Sequence, residues 1–177
     1  MAEGGDEPFA RALAFVLAEE GGFQADPADP GNWTGGAVGA GELRGTKWGI
    51  SAAAFPKLDI AALTEAEAAA IYRTHYWRPL GADALPAPLA FLLFDAAVMG
   101  GPVEAVRLLQ RALGVAADGI LGPLTRAAAK EAPLASLTAR FQAERLAALS
   151  ALPGFARFGE GWTLRLFRGS FIAGSIQ

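Results

Sequence analysis

The feature that most constrains the fold is an apolar run near the middle of the chain, Leu89–Met99, which reads LAFLLFDAAVM. On a helix this run is apolar on every side except at Asp95, so other parts of the chain have to surround it. A buried carboxyl must find hydrogen-bond partners or stay neutral, and on that ground we predict a structural role for Asp95. The run therefore predicts a central buried helix against which the remaining elements pack.

The rest of the sequence favours a mainly α fold of about seven helices. The chain of 177 residues is 53% hydrophobic and 19% charged, which suits one sizeable packed core. Its abundant alanine favours helix. Glycine, proline, aspartate and asparagine concentrate in residues 23–49, where we predict at most a small β-hairpin with its turn at Gly35-Gly36 or Gly39-Ala40-Gly41.

Further helices are indicated on both sides of the central run. We predict a short helix over Ser51–Phe55 and a longer one opened by the capping box Thr64–Glu67. Beyond the run, Val103–Leu113 and the amphipathic segment Leu134–Leu149 are predicted to be helical. In the last of these we predict outward positions for Arg140, Glu144 and Arg145.

A carboxylate with unusual surroundings is predicted at the end of the first helix. The apolar side chains of Phe9–Gly22 recur with helical spacing, and Glu20 falls in the middle of the face that they form. In the last turn before Gly21-Gly22, loss of water and the negative end of the helix dipole both disfavour the charged form. A carboxyl held in its protonated form is what a general acid needs. The alternative is a solvated Glu20 at a fraying helix end, as for most helical glutamates.

The residues after this helix form an ordered motif that begins with Glu20. Glu20-Gly21-Gly22-Phe23 is followed by Asp26-Pro27-Ala28-Asp29-Pro30-Gly31 and then by Thr46-x-x-Gly49-Ile50-Ser51. A helix-end Glu, a loop Asp and a later Thr, in this order, resemble the signature of glycoside hydrolase family 108, the N-acetylmuramidases of phage endolysins, lysis cassettes and secretion systems. The resemblance implies a lysozyme-like helical globule with Glu20, Asp29 and Thr46 as catalytic residues.

The activity that this resemblance implies is hydrolysis of the β-1,4 bond between N-acetylmuramic acid and N-acetylglucosamine in peptidoglycan. Glu20 would protonate the glycosidic oxygen, Asp29 would activate water or stabilise the cation and its adduct, and Thr46 would help to hold the water. Retaining and inverting courses both stay open, because they depend on the separation of the two carboxyl groups. Two other functions also stay open: a lytic transglycosylase, and a wall-binding or particle-associated protein without catalysis.

One departure from the family pattern lies between Asp29 and Thr46. Family members usually pass from the Asp-Pro-Gly turn to the Thr-x-x-Gly-Ile element within a residue or two, whereas this chain inserts Asn32–Arg44, which reads NWTGGAVGAGELR. The insertion makes Thr34 a second candidate for the hydroxyl role. It is also the best support for a protein without catalysis.

Aromatic residues are candidates for sugar binding. The segment Tyr72–Pro79 contains Tyr76 and Trp77 and resembles a Tyr-Trp-containing helix of the same family. We predict that these two rings and Trp48 bind substrate, since aromatic faces bind the apolar faces of sugars. The alternative for the rings of the Tyr72–Pro79 segment is packing in the core and at its rim.

The C-terminal half carries a second resemblance. The pattern Leu109-Gln110-x-x-Leu113-Gly114 with Asp118-Gly119 and Gly122-Pro123-x-Thr125 is similar to three-helix peptidoglycan-binding modules. We therefore predict three parts: a flexible leader over residues 1–7, a catalytic muramidase segment over residues 8–93, and a helical peptidoglycan-binding-like segment over residues 94–177. The last two are expected to pack as one compact unit.

The amino-acid composition argues against several classes of binding partner. A net charge of −3, a sequence pI of about 5.2 and the lack of a Lys/Arg cluster argue against nucleic acid. With no cysteine and one histidine, we predict no metal and no cofactor. The acidic N-terminus, Met1–Glu7, lacks the apolar part of a signal peptide. We expect a monomer made in the cytoplasm that reaches the glycan strands of the periplasm or cell wall through a holin or through secretion or particle machinery.

Overall fold

The structure is a computed structural model that describes residues 7–176. Two short strands, β1 (Thr46–Lys47) and β2 (Ile50–Ser51), form an antiparallel hairpin. Within the described range the α-helices are α1 (Glu7–Glu20), α2 (Glu65–Tyr72), α3 (Ala87–Gly100), α4 (Pro102–Leu113), α5 (Pro123–Glu131), α6 (Leu134–Ser150) and α7 (Phe155–Gly174). The predicted mainly α fold with a small hairpin is confirmed.

The described residues divide into two compact units. The smaller unit contains residues 13–72, and the larger one contains residues 7–12 and 73–176. The predicted leader lies outside the described residues except for Glu7, which begins α1. The predicted boundary after residue 93 and the packing of the two segments as one unit stay predictions. Between residues 7 and 176, no helix combines the length and the apolar character needed to span a bilayer.

Helix α3 is the centre of the larger unit, as its sequence predicts. Every residue from Leu89 to Ala97 is buried, and the helix packs against α4, α6 and α7. Rings from other elements of this unit pack edge-on against Phe94, with centroid distances of 5.9 Å to Phe9 and 5.5 Å to Trp77. An all-apolar helix is stable here because other elements of the unit cover its buried residues.

Asp95 is the charged exception in this helix and is neutralised by two arginines. Arg145 Nη2 donates to Asp95 Oδ2 at 2.6 Å, and Arg165 Nε donates to Asp95 Oδ1 at 2.8 Å. The predicted structural role of Asp95 is confirmed, but the predicted outward position of Arg145 is wrong, since Arg145 is buried. Burial lowers the pKa of the Arg145 guanidinium, while the charge of Asp95 acts in the opposite direction. Arg145 is stable inside because Asp95 compensates its charge.

A buried glutamine organises the turn between α4 and α5. The amide nitrogen of Gln110 donates to Asp118 Oδ1 at 2.7 Å and to Thr125 Oγ1 at 3.1 Å, and its oxygen accepts from the Gly119 amide at 2.8 Å. Gly119 has a φ of 80°, which glycine adopts at little cost. This φ lets the chain bend at Asp118-Gly119 around the Gln110 side chain.

The hairpin of the smaller unit differs in detail from its prediction. Its two-residue turn is Trp48-Gly49, with φ values of 50° and 71°, the positive pair that type I′ turns require. The glycines at positions 35–41 lie instead inside the insertion. The predicted helix over Ser51–Phe55 is wrong, because Ser51 belongs to β2 and the residues after it form a single turn closed by the Phe55 amide on the Ser51 carbonyl.

The capping box at the start of α2 is confirmed. The Thr64 amide donates to Glu67 Oε2 at 2.9 Å, and the Glu67 amide donates to Thr64 Oγ1 at 3.3 Å. These reciprocal bonds satisfy two amide groups that have no partner within the helix. Helix α2 then begins at Glu65, one residue after the cap.

Candidate active site

The end of α1 lies beside the hairpin because the chain that follows it pairs with β1. The amide of Gln24 donates to the Thr46 carbonyl at 2.9 Å, and the Thr46 amide donates to the Gln24 carbonyl at 2.8 Å. The Trp48 amide donates to the Gly21 carbonyl at 3.2 Å. These bonds bring the last residue of α1, Glu20, next to the Trp48-Gly49 turn.

The carboxylate of Glu20 borders Gly49 and Tyr72. A Cβ atom added at Gly49 would lie 2.9 Å from Glu20 Oε2 and 3.0 Å from the Tyr72 hydroxyl oxygen. That hydroxyl donates to the Trp48 carbonyl at 2.7 Å and so holds the turn in place. Glu20 is half-buried, whereas Val16, one turn earlier on the same face, is fully buried. Its setting is thus intermediate between the buried and the solvated positions considered from the sequence.

Asp29 is the second carboxylate of the candidate site. Its Oδ1 accepts from the Gly31 amide at 2.8 Å and so caps a 3-10 turn over Pro30–Asn32. Its Oδ2 accepts from Gln24 Nε2 at 3.3 Å. Asp29 is half-buried, so its carboxylate is fixed by local donors and still reaches the surface. An ionised carboxylate in this position can accept further hydrogen bonds.

Thr46 is joined to Asp29 through two side-chain amides. The Thr46 hydroxyl donates to Asn32 Oδ1 at 2.7 Å. Gln24 Nε2 donates to the same oxygen at 3.2 Å as well as to Asp29. Four side chains separated by up to 22 positions in the sequence therefore form one hydrogen-bonded network. The structure brings two of the predicted catalytic residues, Asp29 and Thr46, together in it.

Asn32, the first residue of the insertion, belongs to this network, and the rest of the insertion forms a closed loop of its own. Its two ends meet where the amides of Arg44 and Gly45 both donate to the Asn32 carbonyl, at 2.9 and 3.0 Å. Trp33 and Leu43 then form an isolated bridge pair. The remaining candidate hydroxyl, that of Thr34, accepts from the Glu42 amide at 2.9 Å inside the insertion. Thr34 thus serves the insertion, and Thr46 belongs to the network of Asp29.

The three aromatic candidates have different surroundings. Trp77 is 1% exposed, and its indole Nε1 donates to Asp83 Oδ1 at 2.7 Å, so it packs in the core as its alternative interpretation requires. Trp48 is half-buried with Lys47 Nζ 4.6 Å from its ring centroid. Tyr76 is half-buried as well. Substrate binding by Trp48 and Tyr76 stays a prediction, and Trp77 could bind substrate only after leaving the core.

Sequence reasoning missed Gln24 and Asn32. Asn32 is fully buried although it lies in a loop rich in glycine and proline. The available signal was an asparagine directly after Asp29-Pro30-Gly31, because a buried loop amide usually satisfies neighbouring polar groups. Among residues 7–176, no three His, Asp or Glu side chains are grouped in a way that could hold a metal ion.

A half-buried glutamate at a helix end and a half-buried aspartate in the loop that follows are the residue types that carboxylate-based glycoside hydrolases use. The family model described as Glycosyl hydrolase 108 matches residues 13–101, and the chain belongs to this family. The model described as Predicted Peptidoglycan domain matches residues 104–167. The chain is therefore a glycoside hydrolase of the peptidoglycan hydrolase class.

One solved structure extends the comparison to nearly the whole chain. The structure of Brucella abortus SagA is 34% identical, with a TM-score of 0.79, and the match covers 95% of this chain and 94% of that chain. No curated protein matches the chain significantly. The similarity to SagA thus includes both regions matched by the two family models.

Proposed function

We propose that this protein is an N-acetylmuramidase that hydrolyses the β-1,4 bond between N-acetylmuramic acid and N-acetylglucosamine in peptidoglycan. The observation that carries the proposal is the position of Glu20 against the Trp48-Gly49 turn of a hairpin whose Thr46 is hydrogen-bonded into the network of Asp29. Membership in the Glycosyl hydrolase 108 family supports the reaction class. The peptidoglycan domain match supports the substrate class.

In the proposed reaction, the Glu20 carboxyl donates its proton to the glycosidic oxygen as the bond to the anomeric carbon breaks. The sugar gains oxocarbenium character, which a nearby carboxylate stabilises. Asp29 is that carboxylate, and it is placed by the Gly31 amide and by Gln24. Thr46 holds the attacking water. Trp48 and Tyr76 are the proposed contacts to the sugar rings, because both are half-buried and keep part of their surface exposed.

The proposal is tested by digestion of purified sacculi with the wild type and with Glu20→Gln. We expect release of muropeptides with reducing muramic acid ends, and a loss of about 10²–10⁴-fold in rate for the variant, since it cannot donate the proton. The matched control is Glu19→Gln, which removes the neighbouring charge and should keep the activity. Circular dichroism should show both variants folded.

Two outcomes would contradict the proposal. Muropeptides with 1,6-anhydro ends would identify a lytic transglycosylase instead. Binding to sacculi without release of sugar would identify a wall-binding protein without catalysis. The proposed site of action is the periplasm or cell wall, with passage through a holin or through secretion or particle machinery, and fractionation of producing cells tests this independently.

A further inference from the structure

The last helix of the larger unit, α7, carries large apolar side chains on the face that points away from the core. Leu164, Phe167 and Phe171 are 46%, 66% and 83% exposed. On a helix these three residues lie within about 60° of one another, so they form one surface, which we call the aromatic patch. Single exposed apolar residues are normal on a protein surface, whereas a contiguous apolar patch marks a place of contact with something else.

The opposite side of α7 is fixed to the rest of the larger unit. Leu166 and Ala173 are buried on that side. Gln142 Nε2 of α6 donates to the Leu166 carbonyl and to Ser170 Oγ, both at 2.8 Å. Helix α7 cannot rotate to bury the aromatic patch without losing these contacts. The exposure of the patch is therefore a consequence of how the helix packs.

Charged side chains border the aromatic patch. Arg157 and Arg168 are exposed and lie along one flank of it, and Glu160 is exposed on the same face. The guanidinium of Arg157 also contacts an aromatic ring, with its Cζ 4.9 Å from the centroid of Phe158. The whole chain has a net charge of −3. The surroundings of the patch, with two arginines and one glutamate, thus have the opposite sign to the protein as a whole.

The size of the aromatic patch distinguishes between kinds of partner. Large apolar side chains present about 150–250 Å² each when fully exposed. Three of them provide less than the roughly 800 Å² that each partner contributes to a stable protein interface. A lipid surface requires less, because the side chains of one helix face can enter the boundary between headgroups and acyl chains without a complementary surface. The flanking guanidinium groups favour a lipid surface that is anionic.

We propose that the aromatic patch docks on a bilayer that contains anionic phospholipids, with α7 lying in the plane of the membrane surface. The apolar side chains of the patch enter the boundary between headgroups and acyl chains. Arg157 and Arg168 bind lipid phosphates, whose oxygens match the planar set of guanidinium donors. Glu160 opposes this attraction. The docking uses no residue of the candidate active site and does not depend on the proposed reaction.

The first test is sedimentation of the full chain with lipid vesicles, made of phosphatidylcholine alone or with an equal part of phosphatidylglycerol. The wild type should partition more strongly onto the mixed vesicles. The double variant Phe167→Ser/Phe171→Ser should lower the partition coefficient by about 10²-fold, because two rings no longer enter the bilayer. The matched control is Ile120→Ser/Leu124→Ser, which removes two exposed apolar side chains outside α7 and should leave partitioning unchanged.

The second test changes the charges beside the aromatic patch. Arg157→Gln and Arg168→Gln should each lower the partition coefficient on mixed vesicles by about fivefold, since each removes one attraction to the anionic surface. Glu160→Gln should raise it. All three differences should shrink with added salt, which screens the charges, and should be absent on neutral vesicles. A purely structural role of these side chains would give no dependence on the charge of the lipid.

Three results would overturn the proposal. The wild type could fail to sediment with mixed vesicles, or the wild type and the double phenylalanine variant could partition equally. A dimer in analytical ultracentrifugation that this variant abolishes would identify a second copy of the chain as the partner instead. Thermal unfolding should be the same in all variants, because only exposed side chains are replaced. Purified sacculi contain no lipid, and their digestion should be equal in wild type and double variant, which separates docking from glycan hydrolysis.

Discussion

Two aspartates of this protein, Asp29 and Asp95, show what burial does to a carboxylate. Asp95 lies inside the larger unit, 1% exposed, with a guanidinium on each of its oxygens. Asp29 is half-buried in a loop of the smaller unit and accepts from the neutral amides of Gly31 and Gln24. The buried carboxylate is fully compensated and has no capacity left for chemistry. The half-buried one is fixed in place and retains lone pairs for a water.

The largest effect is expected when Asp29, the half-buried aspartate, loses its charge. Asp29→Asn should lower the rate of sugar release by about 10²–10⁴-fold, because the amide cannot take the proton of the water. Stability should fall by no more than about 1 kcal/mol, since asparagine can keep the cap on the Gly31 amide and loses only the long, exposed bond from Gln24. Sugar release and urea unfolding are measured on the same preparation. Asp59→Asn, which keeps a similar bond to the Ala62 amide, is the matched control.

For the buried aspartate, Asp95, we expect the opposite: a large loss of stability. Asp95→Asn should lower the free energy of unfolding by about 3–5 kcal/mol, because two buried guanidinium groups lose their compensating charge. The control is Glu104→Gln, whose surface ion pairs with Arg107 and Arg111 should contribute only about 0–1 kcal/mol. Urea unfolding checks both variants. A loss below about 1 kcal/mol in Asp95→Asn would remove the distinction between the two aspartates.

A smaller effect is expected where the backbone approaches the other candidate catalytic carboxylate, Glu20. Gly49→Ala should cost about 1–2 kcal/mol for a φ of 71°, and its Cβ would also displace Glu20. Gly39→Ala is a matched control, because Gly39 has a φ of 79° but nothing within 4 Å of an added Cβ. Thermal unfolding should show a similar loss in both variants. Only Gly49→Ala should lose activity, and equal activities would argue against a role for the Glu20 position.

The smallest effect is expected at a fully exposed carboxylate, Glu67. Hydrogen bonds from the amide and the hydroxyl of Thr64 hold the pKa of Glu67 below its ordinary value. A carboxyl with a lowered pKa in the folded state stabilises that state above its unfolded pKa, and this contribution is lost as the pH falls through the folded pKa. The wild type should therefore lose slightly more stability than Glu67→Gln on acidification. Denaturation midpoints from neutral pH to about pH 3 test this, and parallel curves would contradict it.

The sequence was sufficient where local rules decide the structure. The apolar run around Asp95 predicted a buried central helix, and Thr64–Glu67 predicted a cap, because periodicity and capping depend only on neighbouring residues. The inward position of Arg145 could not be predicted, because it depends on a carboxylate 50 residues earlier in the chain. A lone arginine on an amphipathic helix is normally exposed.

In the candidate site, too, contacts between residues far apart in the chain could not be predicted from the sequence. Glu20, Asp29 and Thr46 became candidates through their order in the chain, which a motif preserves. Asn32 was missed, because its place in the hydrogen-bonded network depends on how the insertion returns to its own starting point and on the pairing of Gln24 with Thr46. Such closure is a property of the folded loop and has no periodic signature in the sequence.

The carbonyl of Asn32 accepts from the amides of Arg44 and Gly45, so the insertion begins and ends at one point just before β1. Sequence can be added or removed beyond that point without shifting the register of β1 and β2. The tip at residues 37–39 is therefore a natural place for a graft, such as an affinity peptide or a second wall-binding element.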